Sequence, residues 1–144
     1  RKVQCHSGWD WGICLVTSGI YNDIYLETVN DCRVEHVYCS QEHSENRCKV
    51  KVTTELYAPE AGSSPIKVTL GDKVNEFSVD LDTGLNKVET IFDLENPQLW
   101  YPAGYGEQPL YDLTVETAES SVSKRIGLRT MELVTDKDGT FNSN

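Results

Sequence analysis

The sequence predicts an all-β fold, an antiparallel sandwich of about seven strands, and three observations carry that prediction. Apolar residues recur with a period of two, loops rich in Gly, Pro, Asp and Ser interrupt the alternation at close intervals, and no window sustains the i, i+3, i+4, i+7 apolar stripe of a helix. Successive side chains of a strand point to opposite faces, so a half-buried strand is written as apolar–polar alternation. Two such sheets bury their apolar faces against one another.

The elements follow in chain order. "GIYNDIYLETV" (19–29) places Ile20, Ile24 and Leu26 on one parity. "CRVEHVYC" (32–39) sets Val34, His36 and Tyr38 on one face and Arg33, Glu35 and Val37 on the other. "RCKVKVTTELYA" (47–58) puts Cys48, Val50, Val52, Thr54 and Leu56 on one side, with charges and hydroxyls opposite. "IKVTL" (66–70), "VNEFSVDL" (74–81), "NKVETIFDL" (86–94), "PLYDLTVET" (109–117) and "VSKRIGLRTMELV" (122–134) continue the pattern. "QEHSEN" and "PEAGSSP" read as loops, and "GDK" (71–73) as a tight hairpin, because Gly-Asp supplies the positive φ of primed turns. The stretch 94–111 carries Trp100, Tyr101, Tyr105, Tyr111 and prolines at 97, 102 and 109, a rigid apolar loop suited to closing one end of a sandwich.

Composition bounds the function. The chain has 144 residues, enough for one core without staples, and 38% hydrophobic residues, too many for disorder. With 23 acidic against 13 basic residues the net charge is −10, which repels phosphate backbones and anionic lipid, so neither nucleic acid nor a membrane surface is an expected partner. No apolar run approaches the ~18 residues of a membrane helix, and "RKVQCHSGWD" lacks the apolar core of a signal peptide. Five cysteines, an odd number, lie at 5, 14, 32, 39 and 48 with no CxxC, and no N-x-S/T sequon occurs; both features point to a reducing, cytoplasmic compartment.

Cys32, His36, Cys39, His43 and Cys48 are metal-ligand types crowded together. Strand parity sets Cys39 opposite Cys32 and His36, and the spacings fit no zinc knuckle, so no metal is expected; a Cys39–Cys48 cross-strand disulfide is the alternative in an oxidising compartment. There is no G-x-S-x-G, and "GYGEQP" has no following helix to receive an anion, so neither a serine hydrolase nor a nucleotide cofactor is expected. Glycoside hydrolysis needs two carboxyls roughly 5–9.5 Å apart across a cleft, and most acids here fall on solvent parities.

"SGWDWGIC" (7–14) sets Asp10 between Trp9 and Trp11, bracketed by glycines. Tryptophans are common core anchors, and Asp10 can be a turn residue; the same trio would suit a sugar, whose ring faces stack on aromatics and whose hydroxyls donate to a carboxylate. It lies outside the regular strands, at a junction, where ligand clefts form.

These residues resemble a family. "RKVQCHSGWDWGICLVTSGIYNDIYLE", "ENPQLWYPAGYGEQPLYDLTVE" and "KRIGLRTMELV" are similar, in order and spacing, to three signatures of family 2 glycoside hydrolases in their β-mannosidase branch. Ser7 and Ile13 depart from it, standing where the family has an aromatic and a proline. The resemblance implies an immunoglobulin-like sandwich at 19–134. Residues 1–18 would be the tail of a sugar-binding jelly roll, and 135–144 the start of the passage to a (β/α)8 barrel that holds both catalytic glutamates. It implies a parent that removes terminal β-linked mannose with retention and without a cofactor. By motif match Asp10 would hold the non-reducing mannose, with Trp9 and Trp11 packing the junction or walling the pocket. The competing readings are a β-galactosidase or β-glucuronidase of the same family, against which WDWG speaks, and a free-standing carbohydrate-binding or adhesion module.

Overall fold

Residues 47–58 alternate strictly, and this stretch becomes a strand hydrogen-bonded on both edges. The computed structural model describes residues 8, 9, 12–15, 18–133 and 135. Its seven strands are β1 (Arg33–Ser44), β2 (Arg47–Ala58), β3 (Gly62–Leu70), β4 (Lys73–Leu81), β5 (Gly84–Glu95), β6 (Tyr111–Glu116) and β7 (Ser121–Ile126). One sheet has the order β1-β2-β5 and the other β4-β3-β6-β7, with every pair antiparallel. The described residues contain no helix. This is an immunoglobulin-like β-sandwich, as expected.

The core lies between the inner faces. Val50, Val52 and Leu56 of β2 and Phe92 and Leu94 of β5 share one buried cluster with Ile66, Val68 and Leu70 of β3 and Leu113 and Val115 of β6. Thr54 joins that face, and its buried hydroxyl has no hydrogen-bond partner. Pro65 sits within β3 where β6, which pairs only with Lys67–Leu70, does not reach, so a residue with no N–H breaks no ladder on that side. The β3–β4 connection is the expected two-residue hairpin: Leu70 pairs with Lys73, and Gly71 takes φ 59°.

Edge strands of the two sheets meet along one side. The Val34 N–H donates to Ser120 Oγ (3.3 Å), Lys124 Nζ to the Val37 carbonyl (2.6 Å) and Gln41 Nε2 to the Gly127 carbonyl (3.1 Å). The partners advance together, so β1 and residues 120–127 run in the same direction, and side chains close a seam that no backbone ladder closes. Backbone groups at an open edge need partners, and here polar side chains supply them.

Several readings of the pattern need correction, among them "PEAGSSP", whose last four residues belong to β3. Residues 19–29 alternate but form no strand: Ile20, Ile24, Tyr25 and Leu26 are exposed, with no sheet beside them among the described residues. The 32–39 parity breaks at a bulge between Val34 and His36, where Glu35 is the extra residue. Val34 and Val37 are therefore both buried, Cys39 turns to the core side, and His36 and Tyr38 face solvent. Arg33 grips Glu35 across the bulge and reaches Glu27 at 2.8 Å. Finally, "QEHSEN" is mostly strand: β1 runs to Ser44 and only Glu45 and Asn46 turn. Conversely β7 stops at Ile126, because its partner β6 begins at Tyr111.

Candidate functional site

Of the three residues singled out by sequence, Trp9 is described and 52% exposed. The Gly12 N–H donates to the Trp9 carbonyl at 3.1 Å, tying the ends of the 9–12 stretch. Asp10 and Trp11 lie outside the described residues. Trp9 is thus not a core plug of this sandwich. Its neighbours in the chain, Ile13 and Leu15, are exposed as well.

This arm joins the sandwich through a dense polar junction. Glu119, in the β6–β7 turn, accepts from the backbone N–H of Asn30 (2.9 Å) and of Asp31 (3.0 Å) on one carboxylate oxygen and from Asn30 Nδ2 (3.0 Å) on the other. Those donors favour its charged form, the Asp31 N–H most, and hold its carboxyl below the usual range. Ser64 Oγ donates to Asp31 (2.7 Å), and Thr117 Oγ1 to the Cys32 carbonyl (3.0 Å). Cys32 itself is fully buried, its Sγ 3.2 Å from Ser64 Oγ.

The two C-terminal motifs meet at the other end of the molecule. The backbone N–H of Trp100 in "LWYP" donates to the Leu128 carbonyl of "IGLRT" (2.8 Å), and Arg129 lies over the indole at 5.0 Å. Gly127 lies flush against Trp100, where a Cβ would come 2.9 Å from Cγ. Gln41 completes this knot: besides binding Gly127, its Oε1 accepts from the Arg129 N–H (3.0 Å) and contacts His43 Nε2 (3.0 Å). Tyr101 packs on Gly106, and Gln108 donates to the carbonyls of both, so the glycine-rich turn is built around an aromatic ring rather than around an anion. Both motifs thus serve one structural unit, a connection that sequence could not reveal because it rests on contacts across 27 or more residues.

The cysteine–histidine group does not converge. His43 Nε2 stands 3.5 Å from Cys48 Sγ, but the bulge sends His36 outward. Among the described residues no three His, Cys, Asp or Glu side chains gather as a metal site. The Cys39–Cys48 disulfide is ruled out by register: Cys39 faces Val52 and Cys48 faces His43, so the two thiols are four residues apart along β2. Burial pushes both thiols up. Thiols held neutral in this way are poor nucleophiles.

Several acids on the outer faces are engaged with cations. Lys51 pairs with Glu89, Lys87 with Glu55, Arg47 with Asp93 and Glu95, and Lys67 stands between Glu76 and Glu116 at 3.7 and 3.8 Å. A surface groove of about 490 Å³ beside Pro65, Phe77 and Thr117 includes that Lys67 trio, one cation set between two acids.

The pattern of glycosyl hydrolases family 2 matches residues 32–129. Beta-mannosidase B of Emericella nidulans is 34% identical over an alignment covering 96% of this chain and 17% of that protein. The crystal structure of a beta-D-mannosidase from Dictyoglomus thermophilum superposes with a TM-score of 0.85 at 29% identity, over 96% of this chain and 18% of that one. A putative beta-galactosidase from Bacteroides fragilis shares the fold, with a TM-score of 0.64 at 19% identity over 72% of this chain and 18% of its own. This chain therefore spans about a sixth of the length of the relatives it matches. With two thirds of its residues inside the family pattern, the chain belongs to glycosyl hydrolases family 2.

Proposed function

We propose that this chain is a non-catalytic segment of an exo-acting β-mannosidase, a sandwich that braces a catalytic barrel and donates Asp10 to the substrate. One observation carries the reading. The likeness to the beta-mannosidases runs through 96% of the chain, well beyond the sandwich strands at Arg33–Ile126, whereas the likeness to the putative beta-galactosidase covers 72%. At 96% coverage the likeness to the beta-mannosidases extends over much of the arm that precedes β1.

The chemistry suits the role. A carboxylate accepting two sugar hydroxyls makes charge-assisted hydrogen bonds that fix ring orientation, and Trp9 and Trp11 offer faces to the sugar or to the junction. In this reading the reaction lies outside the sandwich, where acids of the outer faces such as Glu55, Glu76, Glu89 and Asp93 stand in ion pairs. In this reading residues 1–18 belong to the domain before the sandwich and 135–144 lead to the barrel after it. The thiols of Cys32, Cys39 and Cys48 suit a reducing compartment such as the cytoplasm.

Asp10→Ala in the full-length parent is expected to lower kcat/KM on an aryl β-mannoside by ~10²-fold or more, as for a lost charged hydrogen bond. Unchanged kinetics would remove Asp10 from the site. The 144-residue chain alone is expected to show no turnover of the same substrate, and measurable hydrolysis there would overturn the bracing role.

A further inference from the structure

We propose that Glu119 is a positioning residue: its carboxylate, at Asn30 and Asp31, fixes the direction in which the Asp10-bearing arm leaves the sandwich. The inference rests on the reading of Asp10 as a substrate residue. It begins from what Glu119 is not needed for. The β6–β7 turn is already closed by the Thr117 N–H to the Ser120 carbonyl (2.8 Å), and Thr117 Oγ1 accepts from the Ser120 N–H at 3.0 Å. The Glu119 side chain adds nothing to that turn. Both its oxygens go instead to residues 88 and 89 positions earlier, taking three donors from the last two residues of the arm.

What it holds is the pivot. Residues 19–29 form no ladder, so their course is set where they reach the sandwich, and beyond the clamp Arg33 grips Glu27. Losing the clamp removes all three of these contacts at Asn30 and Asp31 and loosens the point from which the arm departs, with Asp10 lying 20 residues earlier in the chain. The clamp also refers the arm to the far end of the molecule. Glu119 adjoins Ser120, the first partner in the β1–β7 seam, and the last is Gln41 on Gly127 and Arg129, where the chain leaves the sandwich. One continuous edge thus fixes where the chain enters relative to where it departs, which is what a residue donated across a domain boundary requires. Misplacing a substrate contact by about 1 Å can reduce rate by roughly 10²-fold.

The test is a double-mutant cycle in the full-length parent, with kcat and KM measured on an aryl β-mannoside. Glu119→Ala is expected to lower kcat/KM about tenfold, and Asn30→Ala, which removes one of the three donors, by less. In an Asp10→Ala background Glu119→Ala should change nothing further, because a positioning residue has no effect once the group it positions is gone. If Asp10→Ala is damaging while Glu119→Ala is silent, or its loss persists undiminished in that background, the proposal falls and the reading of Asp10 stands. If Asp10→Ala is itself silent, the reading of Asp10 fails and the positioning role fails with it. Glu119 is exposed, so the variant is expected to keep its fold; should it not, Asn30→Ala carries the same cycle.

Discussion

Residues 47–58 and 19–29 share one alternation and end in opposite states. In β2 the apolar parity is buried from Cys48 to Ala58, and both edges are hydrogen-bonded, to β1 and β5. In the arm Leu26 is fully exposed, Tyr21 is 93% exposed, and no strand lies alongside among the described residues. Burying a side chain of that kind stabilises by roughly 1.5–3 kcal/mol, so the arm leaves several such contributions unrealised. Alternation specifies a strand with one buried face; it does not specify which sheet provides the burial.

The comparison breaks first in the core. Leu56→Ala removes a fully buried side chain and should destabilise the 144-residue chain by about 2–5 kcal/mol. Leu26→Ala in the same chain should change stability by no more than about 0.5 kcal/mol, since nothing there is buried. Guanidinium titration of both variants decides it. A Leu26 effect as large as that of Leu56 would mean that the arm packs on the sandwich and that the contrast is false.

A smaller effect is expected where the chain departs. Gly127→Ala places a Cβ 2.9 Å from Trp100 Cγ and 3.0 Å from its Cβ, at the root of the side chain where no rotamer change relieves it. Overpacking of this kind costs about 1–3 kcal/mol, and it should also loosen Arg129 from the indole. A thermal melt of the variant reads the first effect, and the environment of Trp100 in near-ultraviolet circular dichroism reads the second. A melt matching the wild type would show that the close approach bears no weight.

How legible all this was depends on the range of the interactions. Strands β2, β4 and β5, the 66–70 part of β3, and the Gly71–Asp72 hairpin are local facts of periodicity and turn chemistry, and they can be read directly; Gly62–Pro65, rich in turn residues, read as loop and are strand. The bulge at Glu35 cannot: one extra residue in a strand leaves no mark in composition, and it inverted the parity assigned to His36, Tyr38 and Cys39. The arm misled for the reason given above. At the site, WDWG and the Trp100 loop stood out by composition while the specific role of Asp10 was legible only by resemblance, and the packing of Trp100 on Gly127 had no local signal. Glu119 was one acid among 23 in a turn marked "ESS", and its three donors lie 88 and 89 residues away. Periodicity carries no information at that range.

The last effect is the smallest and isolates the junction between the two regions. Glu119 titrates below its ordinary value of 4.5 because the N–H groups of Asp31 and Asn30 and the Asn30 amide all donate to its charged form. A group whose folded value is depressed contributes its full attachment above the ordinary value, and loses it as pH falls through the depressed one. At neutral pH the clamp is therefore complete, and acid should release the arm before it unfolds the sandwich, whose buried core of Val50, Val52, Leu70 and Leu113 holds no carboxylate. Asp31, the other acid of the junction, accepts from Ser64 Oγ. Hydrogen exchange of the Asn30 and Asp31 amides should rise, relative to β2 amides and after correction for intrinsic rate, as pH drops below the ordinary glutamate range. Glu119→Gln should show that faster exchange already at neutral pH, because a neutral amide oxygen is a weaker acceptor than a carboxylate and its NH2 would face the donors. Protection at Asn30 and Asp31 that is indifferent both to acid and to Glu119→Gln would place the hold on the arm elsewhere, in the Arg33–Glu27 pair and the buried Cys32.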